Sequence, residues 1–143
     1  MNKNLVALRS IEIEASPEKL WEVLTQAELI KIYLYGTETI TDWQVGSPII
    51  FQGTYNEMQY KDKGNVLESI EHKLLRYNYW SGFSGLEDKL ENYSIVTYEI
   101  HSIGANKVQF SWHQQGFASE EARNHTAQGL INMLEQIKTL AEK

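Results

Sequence analysis

The sequence predicts an α+β fold in which a curved antiparallel sheet of six or seven strands wraps around a long C-terminal helix. Three observations carry this prediction. Residues 119–143 repeat apolar side chains at helical spacing on one broad face. Residues 38–114 alternate apolar and polar side chains with a period of two, broken by glycines and polar turns. Two short helical segments separate the first strand from this region, so helices and strands are segregated along the chain.

Length and composition argue against several classes of protein. The 143 residues fit one domain, residues 1–143, with a sizeable core. A net charge of −6 without a basic cluster makes nucleic acids and anionic membranes poor partners. No apolar run approaches the ~18 residues of a membrane span. Because the chain has no cysteine and no signal-peptide pattern, a cytoplasmic protein is expected.

The chain begins with a strand and two short helices. Apolar and polar residues alternate over residues 10–14, which is typical of a half-buried strand. Ser16 is a favourable N-cap residue, and Pro17 suits the first helical position because its missing N–H is not needed there. A second short helix is expected over residues 26–33, where Leu29, Ile30 and Tyr33 recur at helical spacing.

Six further strands are predicted from the two-residue alternation. Their ranges are 38–43, 49–55, 65–69, 75–80, 91–102 and 107–114. Asp62, Lys63 and Gly64 are predicted to form a turn, because the glycine can adopt positive φ. Residues 82–85 are predicted to open the longest loop.

The surface that should face the C-terminal helix is rich in aromatic residues. Side-chain parity along the strands assigns a set of large residues to this inner face. The set comprises Phe51, Tyr77, Tyr79, Tyr98, Phe110 and Trp112, with Met133 opposite on the helix and Tyr55 assigned less securely. Each buried hydroxyl or indole N–H needs a hydrogen-bond partner, so these groups reach the rim or meet water or a ligand. The alternative is a solid core of aromatic and methionine side chains.

Two charged residues are candidates for orienting a ligand. Glu68 shares a strand face with Val66 and Ile70, and if that face is inward its carboxylate projects into the interior. In the opposite register Leu67 faces inward and Glu68 faces water. Arg123 falls on the inner line of the C-terminal helix, one turn from its start. Its alternative placement is at the rim, with the guanidinium extended towards water.

The sequence contains no recognisable catalytic, metal or cofactor motif. His72, His101, His113 and His125 lack the spacing of a metal site, and His125 is assigned to the polar side of the terminal helix. The Gly-Phe-Ser-Gly segment at 82–85 is not a nucleophile elbow, because its second glycine directly follows the serine. No cofactor and no metal are therefore expected, and no catalytic residue is assigned.

The sequence resembles the START-like (SRPBCC) helix-grip superfamily. Within it, the chain is similar to bacterial single-domain homologues of the C-terminal domain of the activator of heat shock protein 90 ATPase. The resemblance spans nearly the whole chain and is carried by the order and spacing of several segments, none of them specific alone. These segments are residues 13–21, 24–25, 42–46, 51–53, 62–68 and 75–77, together with the terminal helix. Gly129-Leu130 departs from the Gly-Trp that this family often has there.

This resemblance implies a helix-grip fold with a deep cavity between sheet and terminal helix that binds a small apolar molecule. The leading hypothesis is binding of a small hydrophobic or aromatic molecule by the aromatic set, with Glu68 or Arg123 as the orienting charge. An enzyme of cyclase or hydrolase type, with Glu68 as general acid or base, is the first alternative. A co-chaperone-like interaction module, which allows for a homodimer, is the second. The co-chaperone members carry a separate N-terminal domain that this sequence lacks, so chaperone activation is not the expected activity.

Overall fold

A computed structural model describes residues 1–143 and contains one seven-stranded antiparallel sheet with three α-helices. Along the sheet the strands are ordered β1-β7-β6-β5-β4-β3-β2. The strands are β1 (Asn2–Ile13), β2 (Glu38–Ile40), β3 (Pro48–Tyr55), β4 (Met58–Ile70), β5 (Leu74–Tyr79), β6 (Ser94–Gly104) and β7 (Lys107–Phe117). All neighbours pair antiparallel, and β1 closes one edge by pairing with β7. The predicted α+β helix-grip fold is confirmed.

The helices are α1 (Pro17–Thr25), α2 (Ala27–Tyr33) and α3 (Glu120–Ala141). The Ser16 hydroxyl caps α1 by accepting from the backbone N–H of Lys19, as its position before Pro17 predicts. The Ser119 hydroxyl caps α3 in the same way, accepting from the N–H of Ala122. None of the helices is both long enough and apolar enough to cross a lipid bilayer.

The predicted turn at residues 62–64 is wrong, because this segment lies inside β4 and pairs with β3. The hairpin between these strands turns instead at Asn56 and Glu57, which both have positive φ. Two consecutive residues of positive φ are typical of a type I′ turn, whose twist suits a two-residue hairpin. The strand therefore begins at Met58, seven residues before the predicted start, and Asp62 becomes a sheet residue.

The core lies between the concave face of the sheet and α3, with α1 and α2 covering one end. The residues of α3 that are buried are Leu130, Leu134, Ile137, Leu140 and Ala141. The sheet contributes Ile49, Leu75, Val96, Ile100 and Val108, which are all buried. Tyr55 is 63% exposed, contrary to its inward assignment, because the β3–β4 hairpin extends past the end of the core.

Leu134 should be an anchor of the helix–sheet interface. It is 2% exposed on the inner line of α3, whereas Ile131 on the same helix is 50% exposed. Replacing Leu134 by Ala should lower the free energy of unfolding by about 2–5 kcal/mol, because the lost contacts leave a cavity. Replacing Ile131 by Ala should change it by less than about 0.5 kcal/mol. Urea unfolding of both variants measures the difference, and equal losses would contradict the assigned packing.

Candidate functional site

A cavity of about 340 Å³ lies between α3 and the sheet, and we call it the inner cavity. Ten of its sixteen lining residues are hydrophobic. Strands β3 to β7 supply the floor: Phe51, Tyr60, Asp62, Tyr77, Tyr79, Val96, Trp112 and Gln114. Helix α3 supplies the roof: His125, Thr126, Gly129, Leu130 and Met133. Leu34, Tyr35 and Thr37 close one end where α2 leads into β2.

The aromatic floor is a continuous cluster of rings. The ring centroid of Phe51 lies 5.8 Å from that of Tyr77 and 5.7 Å from that of Tyr79. The hydroxyls of Tyr77 and Tyr98 lie 2.7 Å apart and form a buried hydrogen bond. Burial raises the pKa of both phenols, so both stay protonated at neutral pH. Each hydroxyl therefore has one partner in the other, and the proton of the accepting hydroxyl has no acceptor within the protein.

Asp62 is a buried carboxyl on the cavity wall, with a residue exposure of 6%. The Tyr79 hydroxyl donates a hydrogen bond to Asp62 Oδ2 at 2.6 Å. Burial raises the pKa of Asp62 above its ordinary value, and the hydrogen bonds from Tyr79 and Ser81 partly offset this effect. No salt bridge involves Asp62. The cavity thus contains one carboxyl group without a cationic partner.

At the α2 end, two hydroxyls form a short chain. Thr37 Oγ1 donates to the carbonyl of Leu34 at 2.8 Å and lies 2.6 Å from the Tyr60 hydroxyl. Because the single proton of Thr37 is used on Leu34, Tyr60 must be the donor to Thr37. Gly53 allows this position of Tyr60, since a Cβ at residue 53 would lie 2.6 Å from the Tyr60 hydroxyl oxygen.

A wider depression of about 740 Å³, which we call the outer groove, adjoins the inner cavity. It runs between the start of α3 and the β5–β6 connection, past Ser81, Phe83 and Glu121. Five residues line both spaces and form the threshold between them: Asp62, Tyr79, Gln114, His125 and Thr126. A molecule entering from the outer groove therefore passes the Asp62 carboxyl before it reaches the aromatic floor.

Five residues that the sequence assigned to the site lie on the cavity wall. They are Phe51, Tyr77, Tyr79, Trp112 and Met133. Tyr98 and Phe110 do not line the cavity, although both are buried. Their rings pack behind the wall, with Tyr98 at 4.6 Å from Trp112 and 5.8 Å from Phe110 between centroids. These two residues support the wall and do not form it.

Glu68 lies outside the cavity, so its inward assignment is wrong. The register between β4 and β5 shifts between Val66 and Glu68, which is a β-bulge. Beyond the bulge the strand parity is reversed, and Glu68 pairs with Arg76 on the opposite face from Val66 and Tyr77. The carboxylate of Glu68 forms a salt bridge with Arg76, whose Nε also donates to Thr97 at 3.1 Å. The enzyme hypothesis therefore loses the acid on which it rested.

Arg123 is also outside the cavity. Its Nε donates to Asn124 Oδ1 at 2.7 Å, and Nη1 lies 3.5 Å from the carbonyl oxygen of Val6 in β1. The next turn of α3 also contacts β1, because Arg9 Nε in that strand donates a hydrogen bond to the carbonyl of Ala127 at 3.2 Å. The cavity lies under a different stripe of the helix, so the expected orienting role of Arg123 is not supported.

Sequence reasoning missed most of the polar threshold. Asp62 falls in the segment predicted to be a turn, so it was not considered as an inward-facing strand residue. Alternate residues of β4 do form an inward row, namely Tyr60, Asp62, Gly64 and Val66. His125 was placed on the polar side of α3, yet it lines both spaces because the end of α3 stands over the open part of the sheet. Gln114 continues the predicted inward row of β7, and the alternation alone could have found it.

Comparison with known proteins decides the family. The sequence model of the family described as Activator of Hsp90 ATPase homolog 1-like protein matches residues 14–142. The chain belongs to this family. No curated protein matches the sequence significantly.

Solved structures with the same fold include proteins from several organisms. ChR145 of Cytophaga hutchinsonii is 33% identical, with a TM-score of 0.82 over 99% of this chain and 97% of its own. The Aha1 dimer of Colwellia psychrerythraea is 16% identical, with a TM-score of 0.74 over 96% of each chain. PFC0360w, an HSP90 activator of Plasmodium falciparum, is 19% identical, with a TM-score of 0.69 over 93% of this chain and 95% of its own. At these two lower identities, the likeness concerns the fold.

The hydrogen bond from Tyr79 should hold down the pKa of Asp62. Replacing Tyr79 by Phe removes the donor that stabilises the carboxylate, so the pKa of Asp62 should rise further. The carboxyl carbon of Asp62, followed by NMR during a pH titration, measures the change. Tyr93→Phe is a matched control, because the Tyr93 hydroxyl donates to Asp88 instead. An unchanged Asp62 titration in the Tyr79 variant would contradict the proposed hydrogen bond.

Proposed function

We propose that this protein binds a small hydrophobic or aromatic molecule in the inner cavity. The observation that carries this proposal is the space itself, lined by Phe51, Tyr77, Trp112 and Met133 at the junction of sheet and helix. Protein interiors are usually packed to the density of organic crystals, whereas here apolar side chains of the sheet and the helix border an open space. Binding pockets for small molecules range over about 300–1,000 Å³, and this cavity lies at the lower end.

The lining suits one compact ligand with an apolar body. Aromatic side chains present flat faces at ring distances below 6 Å, a spacing that favours stacking or edge contacts with a planar group. Met133 on the roof is unbranched and can adjust to the shape of the bound molecule. The Gln114 amide nitrogen, which makes no hydrogen bond within the protein, is available as a donor at the threshold.

Gly129 offers a direct way to close this cavity. It lies on the roof between Thr126 and Met133, and a Cβ built at this position meets no atom within 4 Å. Its backbone is helical and has no positive φ, so any L-amino acid fits the conformation. A large side chain at residue 129 should therefore enter the space without straining the helix.

Replacing Gly129 by Phe should lower the affinity for 1-naphthylmethanol by at least about tenfold, because the new ring occupies ligand space. Replacing it by Ala is the matched control, since Ala leaves the cavity open. Both variants should be at least as stable as the wild type, and Ala by about 0.5–1 kcal/mol more. Tryptophan fluorescence and calorimetry measure binding, with thermal unfolding as the check on folding. Equal affinity in the Phe variant and the wild type would remove the cavity as the binding site.

A second candidate function, self-association, is favoured by an exposed aromatic cluster at the end of the β3–β4 hairpin. The Phe83 ring lies 6.2 Å from that of Tyr55 and 5.9 Å from that of Tyr60. Tyr55 and Phe83 are 63% and 59% exposed, and Met58 at the hairpin end is 62% exposed. Clustered exposed apolar groups are a common feature of interaction surfaces. The Colwellia relative is described as a dimer, which supports a homodimer here.

Sedimentation velocity over a range of protein concentrations tests this candidate. A dimer built on the hairpin should dissociate when Phe83 and Tyr55 are both replaced by Ser, because the interface loses its aromatic anchors. Ile131→Ser removes an apolar residue of α3 that is also exposed, at 50%, and should leave the dimer intact. A wild-type protein that sediments as a monomer at every concentration would exclude the candidate.

A further inference from the structure

We propose that the cavity selects ligands that carry a protonated amine beside their apolar body, with the ammonium group bound by Asp62 at the threshold. This inference rests on the proposed binding function and narrows its ligand class. The aromatic floor would hold the apolar body, and the carboxylate would fix the orientation of the molecule.

The first support is the placement of Asp62. The residue is 94% buried, lines both the inner cavity and the outer groove, and forms no salt bridge. A buried carboxylate is unfavourable unless a charge or several hydrogen bonds compensate it. Tyr79 and Ser81 supply hydrogen bonds, and an ionised carboxylate can accept about four. The carboxylate therefore keeps acceptor capacity, and Asp62 lines both of the spaces that a ligand would pass through.

The second support is that His125 is the one basic side chain that lines either space. No Lys or Arg lines either the inner cavity or the outer groove. Asp62 lies between two lysines in the sequence. Lys61 lines neither space, and Lys63 forms a salt bridge with Asp88 while its ammonium lies over the Trp80 ring. Lys3 donates to the carbonyl of Tyr93 at 2.8 Å. Asp62 is therefore the one carboxyl at the threshold, which it shares with the imidazole of His125, while the amino-terminal residue Met1 borders the outer groove.

The third support is the aromatic surrounding of this carboxyl. The Tyr79 ring belongs to the cluster that includes Phe51, and Trp112 stands on the same floor. The negative faces of aromatic rings attract cations, most strongly where water is excluded. A carboxylate beside aromatic rings in a low-dielectric cavity therefore favours an ammonium group over a neutral hydroxyl and strongly disfavours an anion.

Three probes of equal ring size test the inference on the folded protein: 1-naphthylmethylamine, 1-naphthylmethanol and 1-naphthoate. Calorimetry at neutral pH should give at least about tenfold tighter binding for the amine than for the alcohol, since its hydrogen bond is charge-assisted. The carboxylate should bind most weakly of the three. This ranking needs no variant, so it stands even if a substitution at the threshold impairs folding.

Two isosteric variants then test which carboxyl group causes the preference for the amine. Asp62→Asn should weaken binding of the amine by at least about tenfold and change binding of the alcohol by less than about twofold, because only the charge is removed. Glu121→Gln removes the same charge from the outer groove and should change binding of the amine by less than about twofold, since this exposed group is screened by solvent.

The outcomes separate the inference from the proposed function. Binding of the alcohol as tight as that of the amine, or an amine whose affinity survives Asp62→Asn, overturns the amine preference and leaves the apolar cavity standing. Tighter binding of 1-naphthoate than of the amine would also overturn it. Failure of all three probes to bind, together with no difference between the Gly129 variants, overturns both.

Discussion

The packing of α3 on a curved sheet is the constraint from which the rest of the structure follows. The apolar stripe of α3 needs burial, and its C-terminal half finds this against the sheet and α1 through Leu134, Ile137 and Ala141. The N-terminal half stands over the part of the sheet where the strands curve away. There the roof includes the small or flexible residues Thr126, Gly129 and Met133 beside Leu130. The same helix thus anchors one end of the fold and leaves a cavity at the other.

The polar groups of this cavity are arranged in two layers. Deep in the core, the hydroxyls of Tyr77 and Tyr98 are hydrogen-bonded to each other. Nearer the opening, Tyr79 binds Asp62, and the carboxyl keeps acceptor capacity that no protein cation uses. The site therefore has an apolar interior that would accept many compact molecules and one charged group that would discriminate among them.

The sequence predicted the fold well because its signals are local and repeated. These signals depend on side-chain chemistry at short range. They are the N-cap at Ser16 with Pro17 at the first helical position, the apolar stripe of α3 and the alternation in β5 to β7. The site was predicted less completely, since it depends on interruptions of those patterns. One β-bulge after Val66 reversed the parity that had placed Glu68 inside. The hairpin turns at Asn56 and Glu57, which both have positive φ, and not at residues 62–64 as predicted. Asp62 is therefore a residue of the sheet.

Binding in the inner cavity is tested most directly at the methyl groups of the protein's three methionines. Met133 lies on the cavity roof, Met1 borders the outer groove, and Met58 is exposed at the hairpin end. During titration with 1-naphthylmethanol, followed by NMR of ¹³C-methyl-labelled methionine, ring currents from a bound naphthalene should shift the Met133 methyl signal. The Met58 signal should stay in place. An unmoved Met133 signal at saturating probe, or equal shifts at Met133 and Met58, would contradict binding in the inner cavity.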